Sequence, residues 1–293
     1  MLVVSEKQDL IHFRRIMFGI YDGEPAVEDI LFNSSDNIPR FAYSLYLNLK
    51  RNIKTMSSPC CVDPGAKQIH QAQGHEQVIA GVNTYKTGQG KSAIVIFTDI
   101  FGYSFINVRK LADSFAQGCQ TTVFIPDYFN GDPMDPNEPN LWDLLPGWLK
   151  KHPTTDACDI ADRFISTIKG DYESIQVIGF CYGAKVVVHL ITHPELSSLV
   201  KASVVAHPSF LVKEEAKQIR RPILFLCAEN DTLFIPDLRQ EFEKELNSNG
   251  LGTFIEYPGT SHGFVVRPDD SQQVNQQKDK AVQDAIHFFK KNL

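Results

Sequence analysis

Short apolar runs alternate with amphipathic segments along the chain from about residue 74 onward. Runs of about four to eight apolar residues, bounded by glycine, proline and polar residues, are typical of buried strands. We predict strands at 78–85, 93–98, 121–125, 175–180, 202–206, 223–228 and 253–257. Between them, apolar residues recur every three or four positions, which predicts helices around Leu111, Phe164, Phe242 and Ile286. A further helix is predicted at 184–192.

The alternation of strand and helix predicts the fold class. Successive strands joined through helices pair in parallel, and right-handed connections place helices on both faces of the sheet. The composition does not change sharply after residue 74, so we predict one α/β domain over residues 56–293. The polar stretch 128–154 predicts a loop and a short helix over the carboxyl ends of the strands, where ligands bind in open α/β sheets.

Residues 1–55 differ from the rest of the chain. They carry short apolar patches without a repeating unit, and the stretch that begins at Met56 looks like a natural start. We therefore expect 1–55 to be an N-terminal extension that is weakly ordered or outside the core. A regulatory or membrane-touching segment is the alternative.

Composition and charge narrow the class of protein. Of the 293 residues 43% are apolar, and the net charge is −6, which predicts a soluble protein that does not bind nucleic acid. We expect no membrane partner, because no apolar run approaches about 18 residues and no secretory signal is recognisable. Six cysteines without disulfide or CxxC spacing indicate a reducing compartment, so we predict a cytoplasmic protein.

Two motifs are similar to ligand sites but have the wrong spacing. Gly88-Gln89-Gly90-Lys91-Ser92 is similar to the end of a phosphate-binding loop, but Tyr85 stands where its first glycine belongs and a strand follows instead of a helix. We predict a hairpin-type turn there. Cys60-Cys61 with His70 and His75 lacks the spacing of a metal site, so we predict no metal.

A cysteine between two glycines is the strongest chemical signal. Cys181 lies between the predicted strand 175–180 and the predicted helix 184–192, within Gly179-Phe180-Cys181-Tyr182-Gly183. This is the G-x-S-x-G nucleophile elbow with cysteine in place of serine, and its tight turn leaves no room for side chains at the flanking positions. The amino end of the helix favours negative charge on the sulfur. By itself the pattern also fits a buried structural cysteine.

Two polar residues after later strands predict a catalytic triad with Cys181. Asp231 follows the strand 223–228, and His262 follows the strand 253–257. The order nucleophile, acid, histidine is that of α/β-hydrolases. In such a triad the thiolate attacks an acyl carbon, the histidine transfers protons, and the aspartate orients the imidazole.

With these residues in place, the chain resembles the dienelactone hydrolase family over roughly residues 60–293. The resemblance implies an α/β-hydrolase fold and hydrolysis of a lactone or carboxylic ester without a metal or organic cofactor. It also implies Cys181, Asp231 and His262 as the triad, with backbone N–H groups of Tyr182 and Ile100 as the oxyanion hole. The matching stretches are 98–102, 126–127 with 131–132, 179–183, 229–231 and 261–264.

The resemblance implies further roles near the nucleophile. Asp99 stands where the family has a carboxylate that helps to control ionisation of the cysteine. Glutamate is usual there in bacterial lactone-cleaving members, and aspartate is more typical of the eukaryotic branch. Arg267 lies near a substrate-binding arginine of the family, with a solvated surface arginine as the alternative. His207 and Phe264 are further substrate-binding candidates, although a core or capping role fits His207 equally well.

These residues predict a hydrolase that cleaves a small-molecule ester or lactone through a Cys-His-Asp triad, as a monomer or homodimer. The same triad fits a thioesterase that acts on acyl-thioesters. The alternative from another class is a non-catalytic protein of the same fold, which binds a ligand or senses redox state through Cys181.

Overall fold

A mostly parallel sheet organises residues 71–292, the part of the chain that this computed structural model describes. Its eight strands lie in the order β1-β2-β4-β3-β5-β6-β7-β8, in which β1, β2 and β4 pair antiparallel and the pairs from β4 to β8 are parallel. The sheet confirms the predicted fold class. The strands are β1 His75–Ile79, β2 Val82–Thr87, β3 Ser92–Phe97, β4 Thr122–Pro126, β5 Ser174–Phe180, β6 Val200–Ala206, β7 Ile223–Asn230 and β8 Gly252–Ser261.

Helices lie between the strands along the chain, and those in the same unit as the sheet cover both of its faces. The helices are α1 Ile106–Cys119, α2 Leu141–Lys151, α3 Thr154–Ile168, α4 Tyr182–Thr192, α5 Lys213–Ala216, α6 Pro236–Asn249 and α7 Gln272–Lys291, with a 3-10 turn at Leu196–Leu199. Helix α1 packs against α7, and α3 packs against α4. Within residues 71–292, every helix is too short or too polar to cross a membrane.

Residues 142–153, which include most of α2, belong to a different unit from the one that contains the sheet. Within this unit the rings of Trp148 and His152 lie 4.5 Å apart, centroid to centroid. The helix confirms that a short helix interrupts the 128–154 stretch. Its placement over the strand ends remains a prediction. Residues 1–55 lie outside the described residues.

Burial explains why most strands read as continuous apolar runs. In β3, five of the six residues are buried, and in β5 six of the seven are. Strands covered by helices on both faces cannot alternate between apolar and polar residues. Strand β1, at the edge of the sheet, has no fully buried residue and carries His75, Glu76 and Gln77.

The single strand predicted at 78–85 is wrong, because two strands of a hairpin meet there. Residues Ala80 and Gly81 have φ angles of 53° and 81°, and β1 pairs with β2 across them. Two successive residues with positive φ form the turn that suits the twist of a two-residue hairpin. Because the first turn residue is an alanine, the sequence lacks the Asn-Gly or Gly-Gly pair that usually indicates such a turn.

The hairpin-type turn predicted at Gly88-Gln89-Gly90-Lys91-Ser92 is also wrong. Strand β4 lies between β2 and β3, so this segment crosses past the start of β4. A Cβ at Gly88 would lie 2.4 Å from the carbonyl oxygen of Thr121, and one at Gly90 would lie 2.6 Å from that of Gln120. Close backbone approach therefore requires glycine at both positions, and Gly88 also has a φ of 67°.

The parallel strands bring five polar residues to one edge of the sheet. Asp99 follows β3, Cys181 follows β5, His207 follows β6, Asp231 follows β7 and His262 follows β8. Parallel strands end at the same edge, so residues far apart in sequence lie close together there.

Candidate active site

Cys181 occupies a strained turn between β5 and α4. Its φ of 50° and ψ of −110° lie outside the regions that residues with a side chain normally adopt. A Cβ at Gly179 would lie 2.4 Å from the carbonyl oxygen of Gly183, and one at Gly183 would lie 2.1 Å from that of Phe97. Close backbone approach therefore requires both flanking glycines, which is the physical reason for the sequence pattern.

Backbone donors predicted to form an oxyanion hole lie beside this turn. Tyr182 is the first residue of α4, a position whose N–H is not needed by the helical hydrogen-bond ladder. Ile100 lies in the loop after β3, and its N–H makes no hydrogen bond within residues 71–292. The N–H of Gly183 donates to the carbonyl oxygen of Thr98 at 3.0 Å, which joins the start of α4 to that loop.

The side chains of Asp231 and His262 form a buried ion pair. Nδ1 of His262 lies 3.0 Å from each carboxylate oxygen of Asp231. Oδ1 of Asp231 also accepts the backbone N–H groups of Leu233, at 2.9 Å, and Phe234, at 3.1 Å. Burial by itself would raise the pKa of Asp231, but the charge of His262 and these hydrogen bonds hold it below its ordinary value.

His262 also interacts with the sulfur of Cys181. Burial would lower the pKa of His262, but the negative charges of Asp231 and Cys181 raise it to about 10. Nε2 of His262, on the side of the ring away from Asp231, is buried and makes no hydrogen bond of normal geometry within residues 71–292. The structure therefore brings Cys181, His262 and Asp231 together, with the imidazole between the sulfur and the carboxylate.

A second buried ion pair joins Asp99 to Arg267. Nε of Arg267 lies 3.3 Å from Oδ2 of Asp99, and Oδ1 of Asp99 accepts the N–H of Phe101 at 3.1 Å. Burial raises the pKa of Asp99 above its ordinary value, although Arg267 and the N–H of Phe101 oppose the shift. Arg267 is only 7% exposed, so the alternative of a solvated surface arginine is wrong.

His207 and Phe264 are buried, and His207 packs against both His262 and Phe264. The ring of His207 is fully buried and lies 5.1 Å from the ring of His262 and 5.9 Å from that of Phe264. Burial, followed by the positive charges of His262 and Arg267, holds the pKa of His207 well below its ordinary value, so this imidazole is neutral. These contacts favour a packing role for His207 over direct contact with a substrate.

The other described cysteines lack the features of a nucleophile. Cys119, Cys158 and Cys227 are buried, and burial raises their pKa values to about 11, 12 and 12 respectively. Such thiols are inert near neutral pH. Among residues 71–292, no three His, Cys, Asp or Glu side chains are grouped as metal ligands. Cys60-Cys61 and His70 lie outside that range.

Sequence reasoning missed two residues at this site. Oγ of Ser209 lies 3.6 Å from Sγ of Cys181. The hydroxyl of Tyr128 donates to the carbonyl oxygen of Thr98, and its ring stacks on that of Tyr182 at 5.9 Å. The position of Ser209 just after a predicted strand was the available signal, but that β6 lies next to β5 is not visible in the sequence.

Comparisons with known proteins agree with this architecture. The Carboxymethylenebutenolidase homolog of Homo sapiens is 32% identical over 228 residues, which cover 71% of this chain and 86% of that protein. The mouse protein of the same name is 29% identical over 221 residues, covering 72% of this chain and 87% of its own. A crystal structure of a dienelactone hydrolase-like protein from Klebsiella pneumoniae superposes with a TM-score of 0.57 at 20% identity, covering 71% of this chain and 92% of that one.

The family assignment rests on the sequence. Residues 79–293 match the model of the Dienelactone hydrolase family, and this range contains the elbow, the Asp231–His262 pair and Asp99. The structural superposition supports the fold. The chain therefore belongs to the dienelactone hydrolase family and is a carboxylic ester hydrolase with the α/β-hydrolase fold.

Proposed function

We propose that this hydrolase cleaves a small ester or lactone through a triad of Cys181, His262 and Asp231. One observation carries the proposal. Both oxygens of Asp231 lie 3.0 Å from Nδ1 of His262 and orient its imidazole, which also interacts electrostatically with the sulfur of Cys181. The names of the human and mouse relatives support a lactone among the substrates.

The chemistry follows from these positions. Sγ of Cys181 attacks the acyl carbon, and the negative charge that forms on the carbonyl oxygen is stabilised by the N–H groups of Tyr182 and Ile100, each worth about 3 kcal/mol. His262 then gives a proton to the leaving alcohol oxygen. In a lactone this oxygen stays attached to the acyl group. Water attacks the resulting thioester with His262 as the base, which releases the acid and restores Cys181.

We propose supporting roles for the charged pair behind the nucleophile. Nε of Arg267 lies 3.3 Å from the carboxylate of Asp99 and balances its charge. Arg267 contacts Asp99 through Nε, and we propose that its guanidinium also binds a carboxylate on the substrate. His207 and Phe264 contact His262 or its neighbouring ring, and we assign them to holding the imidazole in place.

Turnover of p-nitrophenyl acetate by the Cys181→Ala variant tests the nucleophile. We expect kcat to fall by at least about 1000-fold, because loss of a nucleophile removes the covalent route. Cys119→Ala is the matched control, since it removes a buried cysteine of α1 and leaves the elbow unchanged. Activity of Cys181→Ala equal to that of the wild type would refute the triad. Measuring an acyl-thioester beside the ester separates a thioesterase from an esterase, and inactivity on both would favour a binding or redox role.

A further inference from the structure

The segment after β6, His207-Pro208-Ser209-Phe210, lies against the nucleophile elbow. The N–H of Ser209 donates to the carbonyl oxygen of Cys181 at 3.2 Å, and the N–H of Cys181 donates to the carbonyl oxygen of Ala206 at 3.2 Å. His207 and Phe210, on either side of this serine, have φ angles of 39° and 60°. Left-handed backbone at residues with a side chain is costly and tends to persist where it positions a functional group.

The side chain that this segment positions is the hydroxyl of Ser209. Its Oγ lies 3.6 Å from Sγ of Cys181, within hydrogen-bond range for sulfur. Both residues are buried, with 2% of Ser209 and 8% of Cys181 exposed. Within residues 71–292 the hydroxyl has no other hydrogen-bond partner. Buried hydroxyl groups form hydrogen bonds, and the partner available to this one is the nucleophilic sulfur. The hydroxyl can therefore stabilise one protonation state of the sulfur over the other.

The charges around the sulfur decide which atom donates. The buried carboxylate of Asp231, 3.0 Å from Nδ1 of His262, favours the protonated imidazole, and a cation near the sulfur favours the thiolate. A thiolate can only accept, whereas a serine hydroxyl can donate. Oγ of Ser209, at 3.6 Å, is therefore placed to donate to the sulfur.

We propose that Ser209 is a further catalytic residue, whose hydroxyl donates a hydrogen bond to Sγ of Cys181 and stabilises the thiolate before attack. This rests on the proposed role of Cys181 as nucleophile. When the sulfur bonds to the acyl carbon it becomes a neutral thioester sulfur, which is a weak acceptor, and the hydroxyl is released. Ser209 therefore increases the fraction of enzyme molecules in which Cys181 is a thiolate.

The Ser209→Ala variant tests this directly, through the thiolate absorbance at 240 nm near pH 6.5, with Cys181→Ser as the baseline. A hydrogen bond to a charged group is worth about a factor of ten in the thiolate-to-thiol ratio, so we expect the absorbance assigned to Cys181 to fall. The remaining thiolate is more nucleophilic, because reactivity rises with basicity. We therefore expect alkylation by iodoacetamide to slow by only about threefold.

Two matched variants distinguish an effect of the Ser209 hydroxyl from an effect on packing. Ser203→Ala removes a buried hydroxyl within β6 that donates to the carbonyl oxygen of Pro222 at 3.2 Å, and we expect wild-type absorbance and alkylation. Ser209→Thr keeps a hydroxyl and is expected to restore most of the absorbance. The melting temperature of each variant is measured alongside.

Wild-type absorbance and alkylation in folded Ser209→Ala would overturn the role of Ser209. An equal loss of absorbance in folded Ser203→Ala would also overturn it, because the effect would then not be specific to the contact with sulfur. Neither result tests the role of Cys181 as the nucleophile, which turnover by Cys181→Ala tests separately. If Cys181→Ala keeps full turnover, the proposed function fails whatever Ser209→Ala does.

Discussion

Replacing Asp231 by asparagine removes one negative charge beside His262 and keeps the size of the side chain. The carboxylate accepts from Nδ1 of His262 with both oxygens at 3.0 Å, and its Oδ1 also accepts the N–H groups of Leu233 and Phe234. Asparagine has one carbonyl oxygen, and its NH2 group can only donate. The variant therefore has one acceptor oxygen for these three donors, and His262 loses one of its two contacts and its counter-charge.

The size of the effect follows from the pKa of His262. Burial would lower this pKa, and the charges of Asp231, the larger influence, and Cys181 raise it from 6.5 to about 10. At roughly 1.4 kcal/mol per pH unit this is about 5 kcal/mol in favour of the protonated ring. Losing half of it would slow kcat/KM about 60-fold, and losing all of it about 3000-fold. We expect Asp231→Asn to fall between these limits.

The same ion pair predicts how stability depends on pH. The pKa of His262 is raised by folding, so its contribution to the free energy of unfolding is complete below its ordinary value of 6.5 and is lost as the pH rises towards about 10. The pKa of Asp231 is lowered, so its contribution is present above its ordinary value of 3.8 and is lost at lower pH. The stability difference between wild type and Asp231→Asn should therefore be largest between these two ordinary values and shrink towards pH 10.

The assay is kcat/KM on p-nitrophenyl acetate, together with urea unfolding at several pH values. Asp237→Asn is the matched control, because it removes an exposed carboxylate six positions further along the chain, and it should keep wild-type values. An Asp231→Asn variant within about threefold of wild-type kcat/KM would refute the reasoning. So would a stability difference that grows from pH 7 to pH 10.

Two further predictions concern backbone contact and buried charge. Gly183→Ala places a Cβ 2.1 Å from the carbonyl oxygen of Phe97, so we expect the free energy of unfolding to fall by more than about 2 kcal/mol, as measured by urea unfolding. Gly170→Ala is the control, because its Cβ meets nothing within 4 Å, and it should leave the free energy of unfolding unchanged. Arg267→Met leaves Asp99 buried without its cation and should cost about 3–5 kcal/mol. Adding Asp99→Asn should recover part of that loss, and a double variant no more stable than Arg267→Met alone would contradict the pairing.

The sequence by itself determined the features that arise from local spacing. Continuous apolar runs mark strands that helices cover on both faces, and six of the seven predicted strands correspond to single strands of the sheet. The glycines at 179 and 183 identify the elbow, because a backbone this close to its neighbours excludes a Cβ. Cys181, Asp231 and His262 follow strands that end at one edge, so their order along the chain was enough to predict that they meet.

Only the tertiary structure decided which side chains meet across strands. The hairpin of β1 and β2 depends on positive φ at Ala80, which an alanine does not signal. Arg267 pairs with Asp99 across 168 residues, and the partner of an arginine depends on which elements pack together. Ser209 reaches Cys181 because β6 lies beside β5 and the following segment turns back towards the elbow. The order of the strands in the sheet and the direction of the loops determine these contacts, and the local spacing of residues predicts neither.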